Sequence, residues 1–117
     1  MTSIQQIETA LAGRRFETAR RLCLRALEKT EAKEILYLLH RAYRNLGDFT
    51  SCGQILARIQ PENPDEQREC FRLLAEDYEV LASGHGYRTS TEATAGLTYE
   101  EYQQKYRTIA EEYRAKA

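Results

Sequence analysis

The sequence predicts an all-α chain built of helical hairpins, and three observations carry that reading. Apolar residues recur three and four apart along nearly the whole length, the spacing of a buried helical face. Alternation at period two, the mark of a half-buried strand, is nowhere sustained. Glycine and proline interrupt the apolar stripes at intervals that suit short helices joined by tight turns.

Taken in order, Ile4, Ile7 and Leu11 form the first stripe, which Gly13 is expected to break. Phe16, Ala19, Leu22, Cys23, Ala26 and Leu27 form the second, and the two stripes make one hairpin. A third helix carries Ile35, Leu36, Leu39, Tyr43 and Leu46 and closes at Gly47. Asp48 then caps a fourth, with Phe49, Cys52, Ile55, Leu56 and Ile59 on its inner face, completing a second hairpin. Pro61 and Pro64 are expected to stop this helix, and a fifth starts at Asp65 or its neighbours with Cys70, Phe71, Leu74, Tyr78 and Leu81 buried. It should end near Ser83. Residues 83–97 are rich in Gly, Ser and Thr and lack an apolar stripe, so they read as a loop that is long enough to be either functional or disordered. Thr98-Tyr99-Glu100-Glu101 is a capping box that opens a last helix with the stripe Tyr99, Tyr102, Tyr106, Ile109 and Tyr113.

At 117 residues the chain is read as one domain spanning 1–117, large enough to bury a core without staples. Hydrophobic residues make up 42% and charged residues 30%, and the mean hydropathy is −0.66, values that suit a soluble helical protein. No apolar run is long enough for a bilayer, and the first residues, Met1 to Glu8, lack the basic and then apolar regions of a secretory leader; a cytoplasmic location is therefore expected. Lys plus Arg number 17 against 18 Asp plus Glu, which leaves no basic excess for a nucleic-acid backbone. The charge is uneven: residues 1–60 carry ten basic and six acidic side chains, and residues 61–117 carry seven and twelve. The three cysteines, Cys23, Cys52 and Cys70, are an odd number without a close pair, and read as small buried apolar residues rather than a disulfide framework.

The hairpins repeat. Phe16, Ala19, Cys23 and Ala26 precede Phe49, Cys52, Leu56 and Ile59 by 33 positions, and Leu36, Leu39, Tyr43 and Leu46 precede Phe71, Leu74, Tyr78 and Leu81 by 35. A helix-turn-helix unit of about 34 residues resembles the tetratricopeptide repeat. The second unit, with Leu36, Leu39 and Tyr43 followed by Leu46-Gly47-Asp48-Phe49 and then Pro64, carries the resemblance best. The first matches in its second helix only, through Phe16, Ala19, Ala26 and Leu27, and has Glu8 where the family holds a small residue. His40 is a further departure, standing where the family's first helix usually holds a small side chain. The resemblance covers roughly residues 2–82 and implies a short α-solenoid with units at about 2–32, 33–64 and 65–82, followed by the loop and a capping helix at 98–116.

In proteins that look like this, the first helix of each repeat borders a concave groove that holds an extended peptide or a partner helix. The resemblance places Gln5 and Thr9, then Tyr37, Arg41, Arg44 and Asn45, then Arg72, Glu76 and Glu79 along it. Arg41 and Arg44 suit a carboxylate, so an acidic partner fits, and Tyr37 offers a flat apolar ring with a polar tip. The bland counterpart is that Arg41, Arg44 and Arg72 pair with Glu76 and Glu79 on a solvated surface. The implied role is that of a protein-binding adaptor or chaperone.

Three other features bear on function. The tyrosine stripe Tyr99, Tyr102, Tyr106 and Tyr113 either packs internally on Phe71, Leu74 and Tyr78, the preferred reading, or forms a self-association surface of a homodimer. The arginine run Arg14, Arg15, Arg20, Arg21 and Arg25 reads as a solvated face, with Glu17 four positions before Arg21. Cys23, Cys52, Cys70, His40 and His85 lack metal-ligand spacing, and neither a phosphate-cradling glycine loop nor a nucleophile elbow is present. No metal, no cofactor and no catalysis are expected.

Overall fold

The computed structural model describes residues 3–117; Met1 and Thr2, where the leader reading and the first repeat unit begin, lie outside the described residues. Among the described residues there are seven α-helices, one 3-10 turn and no strand, as the spacing of the apolar residues requires. The helices fall into two compact units that divide between Gln60 and Pro61.

The first unit holds four helices. Helix α1 (Ile4–Ala12) opens with a capping box in which the Gln6 amide donates to the Ser3 hydroxyl at 3.2 Å and the Ser3 amide donates to the Gln6 side chain at 3.0 Å. Gly13 ends α1 as expected, standing just past Ala12, though at an ordinary φ of −81°. The left-handed residue is Arg14, at φ 60°, one position later. Helix α2 (Phe16–Leu27) folds back along α1, and α3 (Lys33–Leu46) packs against α1, α2 and α4 (Phe49–Leu56). Its contacts are why α3 buries so much: Ile35, Leu36, Leu39, His40 and Ala42 are all inside. Small residues missed by the stripe reading, Ala10 and Ala42, are buried and allow close helix approach. Ile4 and Leu46, placed on the inner stripes, are instead 38% and 40% exposed, since each lies in the terminal turn of its helix. Asp48 caps α4 as expected, its carboxylate accepting the Ser51 amide at 3.2 Å. Arg58, just past α4, ion-pairs with Glu31, just past α2.

The second unit is a pair of long helices with a linking segment. Helix α5 (Pro64–Ala82) begins beside Asp65, as expected, but Pro64 opens it rather than stopping α4, which has already ended at Leu56. Proline suits the first helical position because its missing N–H has no helical partner there, and the Asn63 side chain caps the end by accepting the Glu66 amide at 2.8 Å. Helices α5 and α7 (Tyr99–Lys116) pack along one another. The Thr98 capping box at the start of α7 forms as expected, with the Glu101 amide on the Thr98 hydroxyl at 3.1 Å and the Thr98 amide on the Glu101 carboxylate at 2.9 Å.

Residues 83–97 correct the expectation of a structureless loop. They contain a 3-10 turn at Tyr87–Thr89 and a single-turn helix α6 at Thr91–Thr94. The polar residues that read as loop signals are caps: the Ser90 hydroxyl accepts the Ala93 amide at 3.0 Å and donates to the Tyr87 carbonyl at 2.6 Å.

Gly47 ends α3 in the left-handed region, at φ 79°, where a Cβ is disfavoured. Gly47→Ala should therefore lower unfolding stability by about 1 kcal/mol, read as a shift of the urea midpoint at constant slope.

Candidate functional site

Helix α3 carries the first group of expected binding residues. Tyr37, Arg41 and Arg44 stand at i, i+4 and i+7, so the helix places all three on one face. Tyr37 and Arg44 are half-buried and Arg41 and Asn45 are exposed. Asn45 is committed to its own helix, donating from its side-chain amide to the Arg41 carbonyl at 2.9 Å. That bond leaves Arg41 as the exposed cation of the face. On α1, Thr9 donates to the Gln5 carbonyl at 2.8 Å, and both residues line a shallow cleft of about 380 Å³ with Ser3, Gln6, Arg15 and Leu22. This cleft runs between α1 and α2 and includes none of the α3 residues.

The second group lies on α5 and is occupied within its own unit. Arg72 donates through Nε to Glu69 at 2.9 Å, and its terminal nitrogens hold Glu69 and Glu76. Glu79 accepts from Arg114 of α7 at 2.5 Å. These are partly exposed pairs of the kind that contribute little individually, and they correspond to the solvated-surface reading for Arg72, Glu76 and Glu79. The arginine run on α2 behaves similarly, with Glu17 bonded to Arg20, three residues on, and Arg21 adding a weaker attraction.

The tyrosine stripe is turned inward. Tyr78 of α5 stacks on Tyr106 and Tyr113 of α7 with ring centres 5.8 Å apart in both cases, and Phe71 stacks on Tyr113 at 6.0 Å. Toward the start of α7, Tyr87 meets Tyr99 and Tyr102 edge-on at 5.5 and 5.3 Å. Tyr102 is 2% exposed and Tyr106 7% exposed, so neither is available to a second copy while the unit is closed. Tyr102→Glu therefore reports on folding rather than on association. Tyr99 is the exception, at 43% exposed.

One residue absent from the sequence reading organises this region. Glu92, on α6, accepts from the Tyr106 hydroxyl and from Lys105 Nζ at 3.0 Å. The Tyr106 bond, supported by Lys105, holds its carboxyl down at about 2, well below the usual carboxylate range. Burial first, and then the same carboxylate, push the Tyr106 phenol up. In the sequence Glu92 is one polar residue in a polar run, and its partners come from thirteen and fourteen positions away; no local spacing points to it.

A further cleft of about 610 Å³ runs between α5 and α7, with Ala82 and Ala110 among its apolar lining and Arg107 and Glu111 among its charged lining. The cysteines are buried, as expected, and burial pushes the Cys23 thiol up to about 11, leaving it protonated at neutral pH. Among the described residues no helix is long and apolar enough to cross a membrane. Comparison of the chain with protein-family models, curated proteins and solved structures returns no match.

The depressed Glu92 carboxyl has a defined consequence for acid stability. Its contribution is fully present above the ordinary carboxylate value near 4.5 and is lost as pH falls toward about 2. Glu92→Gln should flatten the fall in stability across that interval and lower stability at neutral pH by about 1–3 kcal/mol, measured by urea unfolding at a series of pH values.

Proposed function

We propose that the chain is a protein-interaction module of tetratricopeptide type, an adaptor or chaperone that takes a peptide or helix of another protein along the exposed face of α3. The observation that carries this reading is that α3 packs against α1 as well as α2, so the leading helices of two successive hairpins lie against each other. That neighbour relation is what a repeat of helical hairpins needs in order to offer a shared binding face. The Arg58–Glu31 ion pair supports it, because it ties the chain just past α4 to the connection between α2 and α3.

On this face Tyr37 and the aliphatic part of Arg41 supply apolar area, while the guanidinium groups of Arg41 and Arg44 supply direction and favour an acidic segment. The charge of the chain agrees with a basic recognition surface: the residues before Pro61 hold ten basic and six acidic side chains. Nucleic acid is not part of the proposal, since the chain as a whole has a net charge of −1.

The experiment is capture of partners from the native cell by the tagged full chain, with mass spectrometry. The double substitution Arg41→Glu and Arg44→Glu should cut recovery of specific partners by about tenfold or more while leaving the helical circular dichroism unchanged. Recovery of the same partners in the same yield would remove the α3 face as the binding site.

A further inference from the structure

Residues 83–97 cover the first half of the tyrosine stripe, and the way they are held differs from the way everything beneath them is held. None of them is fully buried. Yet Tyr102 and Tyr106, against which they lie, are 2% and 7% exposed. The segment therefore acts as a cover without being part of the core.

Its attachments are polar and discrete. The Tyr102 hydroxyl donates to the His85 carbonyl at 2.7 Å, and the Tyr99 hydroxyl to the Ser83 carbonyl at 3.1 Å. Glu92 takes Tyr106 and Lys105. The segment is also braced within itself, the Tyr87 hydroxyl donating to the Leu97 carbonyl at 2.6 Å. Its one ring, Tyr87, makes the edge-on contacts to Tyr99 and Tyr102. By contrast the stacks of Phe71 and Tyr78 on Tyr113 join α5 to α7 without a ring that the segment bonds, while Tyr106, held by Glu92, also stacks on Tyr78.

Both ends of the segment are hinged by glycines in the left-handed region. Gly84 and Gly86 stand at φ 101° and 76° at its start, and Gly96 at φ 99° at its end. At Gly84 a side chain is disfavoured twice, by the backbone and by the Tyr99 ring, which a Cβ would meet. At Gly96 nothing lies within 4 Å of a Cβ, so that glycine answers to the backbone alone.

We propose that residues 83–97 form a hinged strap, latched by Glu92 and the tyrosine hydroxyls, that opens as a unit and uncovers Tyr102 and Tyr106 while α5 and α7 stay paired. Segments with few buried apolar contacts open at lower free energy than the whole domain, and none of residues 83–97 is fully buried. The closed strap keeps Tyr102 and Tyr106 out of solvent; the open strap presents them. This inference concerns the second unit and stands independently of the α3 face.

The test separates strap opening from global unfolding. The rate at which a nitrating reagent modifies Tyr102 is measured by peptide mapping in the full chain, beside hydrogen exchange of the Leu74 amide in α5. Glu92→Gln, which weakens the latch, should speed Tyr102 nitration about tenfold. Phe71→Leu, which touches only the α5–α7 pairing, should speed Leu74 exchange and leave Tyr102 nitration unchanged; Tyr113→Leu serves the same purpose if the first variant does not fold. The proposal is overturned if Tyr102 nitration rises with Leu74 exchange in the pairing variant, or if Glu92→Gln leaves the nitration rate where it was.

Discussion

The four helices before Pro61 depend on the burial of α3. Helices of nine, twelve, fourteen and eight residues are too short to persist alone in water, because nucleation costs more than so few hydrogen bonds return. What stabilises them is apolar surface removed from solvent, and α3 is the element that all three of the others touch. Leu39 and Ala42, fully enclosed on α3, mark the centre of that arrangement. Tyr37, Arg41 and Arg44 stand on the helix that the other three hold in place, so the face proposed for recognition is carried by an anchored element.

The second unit solves the same problem with rings instead of aliphatic stripes. Tyrosine brings a large apolar area and a hydroxyl that must find a partner when buried. Here the rings join α5 to α7, and the hydroxyls of Tyr99, Tyr102 and Tyr106 are satisfied by the segment that crosses α7. Satisfying those hydroxyls and ordering residues 83–97 are one and the same event. Glu92 adds the charged member of the set: the Tyr106 hydroxyl first, and Lys105 beside it, hold its carboxyl down at about 2.

The all-α class and most helix boundaries were legible in the sequence because they depend on local signals. The three-and-four spacing marks the buried faces, Gly47 and Asp48 mark the turn between α3 and α4, and Thr98 with Glu101 marks the start of α7. Where the reading failed, the deciding partner was distant or the signal ambiguous. Pro64 is equally compatible with stopping one helix and opening the next, and Asn63 decides for the latter. Residues 83–97 look unstructured because their order comes from tyrosines on another helix. The candidate site was legible only as far as one helix reaches. The shared face of Tyr37, Arg41 and Arg44 follows from spacing alone, whereas the engagement of Arg72 by Glu69 and of Glu79 by Arg114 depends on side-chain reach and on the pairing of α5 with α7.

The tyrosine ladder also determines how the molecule presents itself to light. The chain has eight tyrosines and no tryptophan, and only Tyr37 and Tyr43 precede Pro61. Near-ultraviolet absorption and intrinsic emission therefore belong mostly to the α5–α7 unit, whereas peptide-bond dichroism sums over every helix. Comparing the two optical signals therefore distinguishes a change in the α5–α7 unit from one in the whole chain, without any added label.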